Sequence, residues 1–193
     1  MSFLKHRGPS RDPGERRRVI LEAARQLFMA KGYEQVGMRE IAERAQISPA
    51  LIYKEGWTKP DLLAELIFEL NAAQIEAMNS ITLPPQQPLL DGVLQVLQYM
   101  YDLDITHREL RKLGAAYGWL WSQEQDQRCL QQIHGLTAPL RQLLIEAKVD
   151  SLEARLSGLW YAYWTGFRAT VIYDQDSAGC IALIRPVVEL LLR

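Results

Sequence analysis

From Pro13 to Leu192 the apolar side chains return every third and fourth residue, and no stretch alternates between apolar and polar with β-branched enrichment. A chain patterned in this way can bury its apolar surface only as helices packed on helices. The fold class expected is therefore all-α, and prolines, glycines and capping side chains divide the pattern into about nine helices.

The divisions are specific. "DPGE" at 12–15 offers an Asp N-cap, a proline at the first helical position and a glutamate at the third. Val19, Ile20, Ala23, Ala24, Leu27 and Phe28 then form one stripe, which Gly32 ends. Met38, Ile41, Ala42 and Ala45 mark a second, shorter helix, and Ser48-Pro49 starts a third that can hardly pass two turns before Gly56. Helix, short turn and short helix make a helix-turn-helix. Beyond it the elements lengthen. "TKPD" opens a helix reaching to Asn79, "TLPPQQP" at 82–88 is a loop, and helices are expected over 88–103, 107–121 after "THRE", 123–148 after Ser122, 151–173 and 177–192. Pro139 and Pro186 should kink theirs. The expected organisation is a three-helix head over 1–57, with a basic arm, and a helical body over 58–193.

Charge supports the division. Residues 1–60 hold 12 Lys and Arg against 7 Asp and Glu, and the remainder 10 against 16, so a net charge of −1 conceals a basic head on an acidic body. Hydrophobic residues at 48% supply a substantial core. The start lacks an apolar signal segment, and the longest apolar stretches carry Arg168 and Arg185, so a cytoplasmic protein without a membrane span is expected. Cys129 and Cys180 fit no zinc or disulfide spacing and read as buried thiols, with a redox switch as the minor reading. No metal or cofactor site is legible. The three histidines are scattered, and no phosphate loop, nucleophile elbow or paired-carboxylate motif supports an enzyme.

"RRVILEAARQLFMAKGYEQVGMREIAERAQISPALIYKEGWTKPDLL", residues 17–63, resembles the amino-terminal domain of TetR-family transcriptional regulators. The shared pattern is Ile-x-x-Ala-Ala-x-x-x-Phe in the first helix, then Gly-Tyr, Ile-Ala, Ser, Tyr and Lys at fixed spacing. The resemblance implies double-stranded operator DNA as partner. Read from the residues, Ser48, Pro49, Ala50, Tyr53 and Lys54 would meet a major groove, with Ile52 pointing inward. Tyr53 and Lys59 would reach phosphates, and Arg39 a base or the backbone. Lys5, Arg7 and Arg11 form an arm suited to the backbone or a minor groove.

The head departs from the family pattern at several places. Val36 and Gly37 stand where a hydroxyl commonly caps the second helix, Gln46 where the turn usually has glycine, and Leu51 where threonine is common. Glu55-Gly56 replaces an aromatic pair, with Trp57 one place later. Gly56 is expected to close the third helix and Trp57 to supply the core aromatic, while Glu55 faces solvent or pairs with a nearby cation.

For the body, the resemblance implies an effector chamber and a homodimer made by the last two helices. Tyr99, Tyr117 and Trp121, with Trp119, could line an apolar pocket for a hydrophobic or aromatic effector, with His107, His134 or Arg111 as polar anchors; they suit an ordinary core equally well. Over 151–173, Trp160, Trp164 and Phe167 form one stripe and Leu152, Leu156, Leu159 and Tyr163 another, so this helix needs two partners. With Ile184, Val187, Val188 and Leu191 of the last helix, the first stripe is the expected dimer interface. The resulting expectation is a dimeric, ligand-responsive regulator, a repressor released by its effector. The alternatives are a redox-sensing regulator and a ligand-binding interaction protein whose head no longer binds DNA.

Overall fold

The computed structural model describes residues 12–84 and 86–193, so the Lys5, Arg7 and Arg11 arm lies outside the described residues. Ten α-helices and no strand are present among them: α1 Pro13–Lys31, α2 Met38–Arg44, α3 Pro49–Lys54, α4 Lys59–Asn79, α5 Leu89–Thr106, α6 Arg108–Tyr117, α7 Gln123–Leu136, α8 Ala138–Glu146, α9 Leu152–Tyr173 and α10 Ser177–Leu191. The caps explain the starts. The Asp12 carboxylate accepts the Glu15 N–H at 2.8 Å, Ser122 and Gln125 exchange the two bonds of a capping box, and the Asp61 carboxylate accepts the Thr58 N–H at 2.7 Å.

The expected helix over 123–148 is two helices. Pro139 has no N–H to offer the preceding turn and its ring crowds the carbonyl four residues back, so the chain breaks at Thr137 and Pro139 sits in the first turn of α8. Pro186, in contrast, lies inside an uninterrupted α10. The expected helix over 107–121 ends as α at Tyr117 and tightens into a 3-10 turn, Gly118–Leu120. Thr106 does not cap α6; its hydroxyl donates back to the Asp102 carbonyl at 3.0 Å.

The chain forms two compact units. The first takes in the described residues up to Ile67 together with Leu113–Trp121, so it extends past residue 57 into α4. Its core joins Ile20, Ala24 and Phe28 of α1 to Ile41 of α2, Ile52 of α3 and Leu63 of α4, all buried. Two of its helices are very short, seven residues for α2 and six for α3, and neither could persist by propensity alone. Each is closed in the same way. After α2 the Ile47 N–H donates to the Ala42 carbonyl and the Gln46 N–H to that of Glu43. After α3 the Trp57 N–H donates to the Ile52 carbonyl and the Gly56 N–H to that of Tyr53. These are paired Schellman closures, which need a left-handed residue. Gly56 (φ 82°) and Gln46 (φ 56°) provide it.

The second unit comprises Phe68–Lys112 and Ser122–Arg193. Here α9 and α10 pack on each other and on α5, and α8 packs on α5 and α9. At the α5–α9 crossing Gly166 lets Tyr101 approach; a Cβ there would lie 2.2 Å from the Tyr101 hydroxyl. That hydroxyl donates to the Tyr163 carbonyl at 3.0 Å, and the two rings stack 5.3 Å apart. Beside them is a buried polar network. The Arg111 guanidinium meets the fully buried Asp104 at 2.8 Å and also donates to the side-chain carbonyls of Asn71 and Gln74. Tyr163 donates its hydroxyl to Asp104. Burial pushes the Asp104 carboxyl up from the ordinary carboxylate range, against the opposing pull of Arg111 and of the bonds from Tyr163 and Gln74.

Two outcomes follow from these interactions. Replacing Gln46 with glycine removes the penalty of a side chain in the left-handed region and stabilises the chain by about 1 kcal/mol. Gly56→Ala destabilises it by a similar amount, because a Cβ at Gly56 meets nothing within 4 Å and the cost is conformational; denaturant melts of both variants measure this. Arg111→Met leaves the Asp104 charge buried and unpaired and costs about 3–5 kcal/mol. Because burial raises the folded pKa of Asp104 above its unfolded value, its contribution is lost as pH rises through the folded value. Arg111 is the chief influence holding that pKa down, so its loss lets burial raise it further and the variant is less impaired in acid than in alkali, which denaturant midpoints at pH 5 and pH 8 check.

Candidate nucleic-acid interface

The outward side of α2 and α3 is built from residues that the core does not need. Ile41, Ala42 and Ile52 point inward and are buried. Arg39, Ser48, Pro49, Ala50, Tyr53 and Lys54 are all exposed, with Tyr53 at 57%. Ser48 caps α3 by its extended backbone alone, since its hydroxyl makes no capping bond to the helix. Most cations of the head have an acidic or amide partner: Arg25 with Glu22, Lys31 with Glu40, Arg44 with Gln26. Arg39 and Lys54 have none among the described residues.

Lys59 sits elsewhere. Its ammonium donates to the Tyr33 carbonyl at 3.0 Å and to that of Glu34 at 3.4 Å, and it lies 4.4 Å from the centre of the Tyr33 ring. The ammonium thus closes the turn after α1, which leaves one of its three N–H donors for any outside acceptor. Tyr117 belongs to the same cluster. Its ring lies 4.3 Å from that of Tyr33 and its hydroxyl donates to Glu34 at 2.6 Å, a bond that raises its pKa.

The substitutions in the head find physical explanations. Val36 is buried, so a core contact stands where a hydroxyl was looked for. Gly37 caps α2 in an extended conformation without a side-chain bond. Trp57 is half-buried, with the Arg17 guanidinium 5.1 Å from its ring centre. The Glu55 carboxylate is held by Arg16 at 3.0 Å. Arg16 and Arg17 escaped the sequence reading because their partners lie far along the chain, and only the packing of α1 against the α3 exit brings them together.

The side chains expected to gather around a ligand are divided between the two units. Tyr117 and Trp121 belong to the first compact unit and Tyr99, His107 and His134 to the second. Tyr99 is half-buried, whereas His107 and His134 are exposed. Trp119 is 92% exposed. A groove of about 740 Å³ does occur in the second unit, between the end of α4, the following loop and α8, lined by Met78, Leu83, Leu89, Leu143, Gln142 and Glu146 among others.

The expected dimer residues divide into two groups. Phe167, Ile184 and Val188 are buried within their own chain, so they have almost no surface left for a second subunit. Trp164 and Val187 are exposed, and Trp160 and Leu191 are half-buried. The outward stripe also includes Tyr161, Leu183 and Leu190. Between the two helices lies a hollow of about 320 Å³ lined by Gly158, Tyr161, Thr165, Leu183 and Val187 among others. Periodicity placed the apolar residues on α9 and α10 correctly; accessibility decides which of the two stripes faces outward.

The thiols are unsuited to ready oxidation. Burial pushes the pKa of both Cys129 and Cys180 up, and the Cys180 sulfur is fully buried and bonded to the Gly166 carbonyl at 3.3 Å. Among the described residues no group of three His, Cys, Asp or Glu could hold a metal ion, and no helix is long and apolar enough to cross a membrane.

Residues 20–66 match the family model described as bacterial regulatory proteins, tetR family. Solved structures of similar fold include a transcriptional regulator of the TetR/AcrR family from Thermobifida fusca, with a TM-score of 0.67 at 18% identity over 93% of this chain and 97% of that one. The transcriptional regulator FadR from Bacillus subtilis, in complex with stearoyl-CoA, gives 0.66 at 20% identity over 91% and 97%. GusR from Salmonella enterica gives 0.66 at 19% identity over 94% and 97%. No protein of curated function matches the sequence. Residues 20–66 thus match the tetR family of bacterial regulatory proteins, and the chain shares the fold of solved TetR-family regulators.

Proposed function

We propose that the chain is a dimeric, operator-binding transcriptional regulator, a repressor that a small apolar molecule releases from DNA. The observation that carries the DNA-binding reading is the outward face of α2 and α3. It presents two cations without partners among the described residues, Arg39 and Lys54, with the Ser48 hydroxyl, which makes no capping bond, and the Tyr53 phenol, while the acid at its end, Glu55, is paired with Arg16. Cations and hydroxyls arranged in this way suit phosphates, and an arginine early in α2 can read guanine with two bonds. With so few base-reading side chains on α3, operator choice rests on Arg39, on apolar contacts from Ala50 and Leu51, and on DNA shape.

The apolar stripe on α9 and α10 supports the dimer. Tyr161, Trp164, Leu183, Val187 and Leu190 form a large exposed apolar surface, which monomeric proteins rarely leave uncovered. Two-fold pairing of this stripe would give two heads for the two halves of a pseudo-palindromic site. For the effector, the groove beside α8 offers apolar walls with amide groups and one carboxylate, and none of its lining residues is cationic. It suits an uncharged or cationic apolar molecule better than an acyl-CoA, which carries phosphates, even though a FadR of this fold is complexed with stearoyl-CoA. Binding there would favour a dimer geometry in which the heads no longer match their half-sites.

The deciding experiment is recovery of genomic fragments by the purified protein at several salt concentrations. Selective binding is expected, and it is expected to be lost in the Arg39→Ala, Lys54→Ala double variant, with the log–log salt slope falling by roughly 0.9 for each phosphate contact removed. Absence of selective binding by the wild type rules out the regulator reading. Val187→Glu together with Leu183→Glu should convert a dimer to a monomer in sedimentation equilibrium and weaken binding to a two-half-site fragment more than to one half-site; an unchanged mass would place the dimer interface elsewhere.

A further inference from the structure

Gly56 interrupts the pattern of the head between an acid and a tryptophan, and the two residues flanking it are held by two consecutive residues of α1. Arg16 pairs with Glu55 at 3.0 Å. Arg17 lies over the Trp57 ring at 5.1 Å and pairs at the same time with Glu65 of α4. Arg16 is only 18% exposed for a charged side chain on a first turn, and Glu55 is 35% exposed. Solvent reaches the Glu55 end and screens the attraction, so the pair adds little to stability and its value lies in where it places charge. Glu55 follows Tyr53 and Lys54 directly, about 3 Å further along the helix axis than Tyr53. That is well inside the screening length of about 8 Å at physiological salt. An uncompensated carboxylate there would repel the phosphates that Tyr53 and Lys54 are placed to meet.

We propose that Arg16 and Arg17 are positioning residues for the α3 face: together they clamp the Glu55-Gly56-Trp57 exit of α3, and Arg16 cancels the Glu55 charge so that this face can approach a polyanion. Neither arginine contacts DNA in this role. The proposal rests on the DNA-binding reading above for its purpose, while the clamp itself is a property of the free chain. It also accounts for how the head accommodates Glu55-Gly56: the Schellman closure at Gly56 turns the chain, and Arg17 seats the Trp57 ring against α1.

A double-mutant cycle on the full chain tests the charge cancellation, using a genomic duplex recovered by the wild type, or a mixed-sequence duplex at low salt if none is recovered. Arg16→Gln is expected to weaken binding about tenfold, equivalent to about 1.4 kcal/mol. Glu55→Gln alone stays within about twofold, and the Arg16→Gln, Glu55→Gln double variant returns close to wild type, with a salt slope unchanged from it. Arg16→Lys retains most of the affinity. If Arg16→Gln costs the same in both backgrounds and the salt slope falls by roughly 0.9, Arg16 binds a phosphate itself and the proposal is overturned. It is equally overturned if Glu55→Gln alone weakens binding tenfold. Amide hydrogen exchange reads the clamp without DNA. The Gly56 and Trp57 N–H groups are bonded at 3.0 and 3.3 Å and should exchange at least about tenfold faster in the Arg16→Gln, Arg17→Gln double variant, with distant α9 amides unchanged. Equal exchange at Gly56 and Trp57 removes the clamp. Should the wild type bind no duplex at all, the DNA-facing purpose falls with the regulator reading, and exchange alone decides whether the two arginines hold the exit.

Discussion

The head depends on two residues held in a left-handed backbone conformation, Gln46 and Gly56. Helices of seven and six residues leave most of their carbonyls without intrahelical donors. By turning the chain sharply, each left-handed residue brings its own N–H and the next one back onto those carbonyls, and only then can the next residue enter the core or the next helix begin. Gly56 does this without steric cost, whereas Gln46 does it against a conformational penalty. The position of Tyr53 and Lys54 relative to α2 is therefore set by backbone geometry at two points and by the burial of Ile52 between them, and very little by side-chain hydrogen bonding.

This dependence explains which parts of the chain were legible in its sequence. Features governed by neighbours along the chain could be read directly: the Asp12 and Ser122 caps, the Gly56 closure, and the faces of α9 and α10. Features governed by distant packing could not. Periodicity groups Trp160, Trp164 and Phe167 on one side of α9, yet Phe167 turns into the core while Trp164 remains exposed, because a helix with two apolar sides does not say where its own subunit ends. Tyr117 has the composition of a pocket aromatic, and its ring lies tilted against Tyr33, more than eighty positions earlier. Lys59 had the local context of a phosphate ligand, and the carbonyls that occupy it come from a turn that only folding brings near. Pro139 was recognised as a disturbance; that it breaks the helix instead of bending it follows from α8 starting afresh at Ala138.

The body follows a different economy. Its core contains a charged pair, Asp104 and Arg111, whose removal from water is costly and is compensated by Asn71, Gln74 and Tyr163 acting together. Hydrophobic packing tolerates small slips of one helix along another, but a guanidinium whose donors are matched to three separate side chains does not. The network therefore fixes the registration of α4, α5, α6 and α9, and Gly166 fixes the depth at which Tyr101 of α5 approaches α9. The apolar surface left over, on the outer sides of α9 and α10, has no such lock.

Under the proposed function, these two halves would place different demands on selection of an operator. An electrostatic face with two uncommitted cations gives affinity that salt weakens and that any duplex can share. Discrimination must then come from the few groups able to sense base edges and groove shape, and from the spacing of two heads imposed by whatever pairs the α9 and α10 surfaces. In such a dimer the registered body would favour a fixed spacing, because the network around Arg111 resists sliding of α4, α5, α6 and α9. On the proposed reading, the residues that set sequence choice need not all touch DNA: Trp164 and Val187 would act on half-site spacing as Arg39 would act on a base.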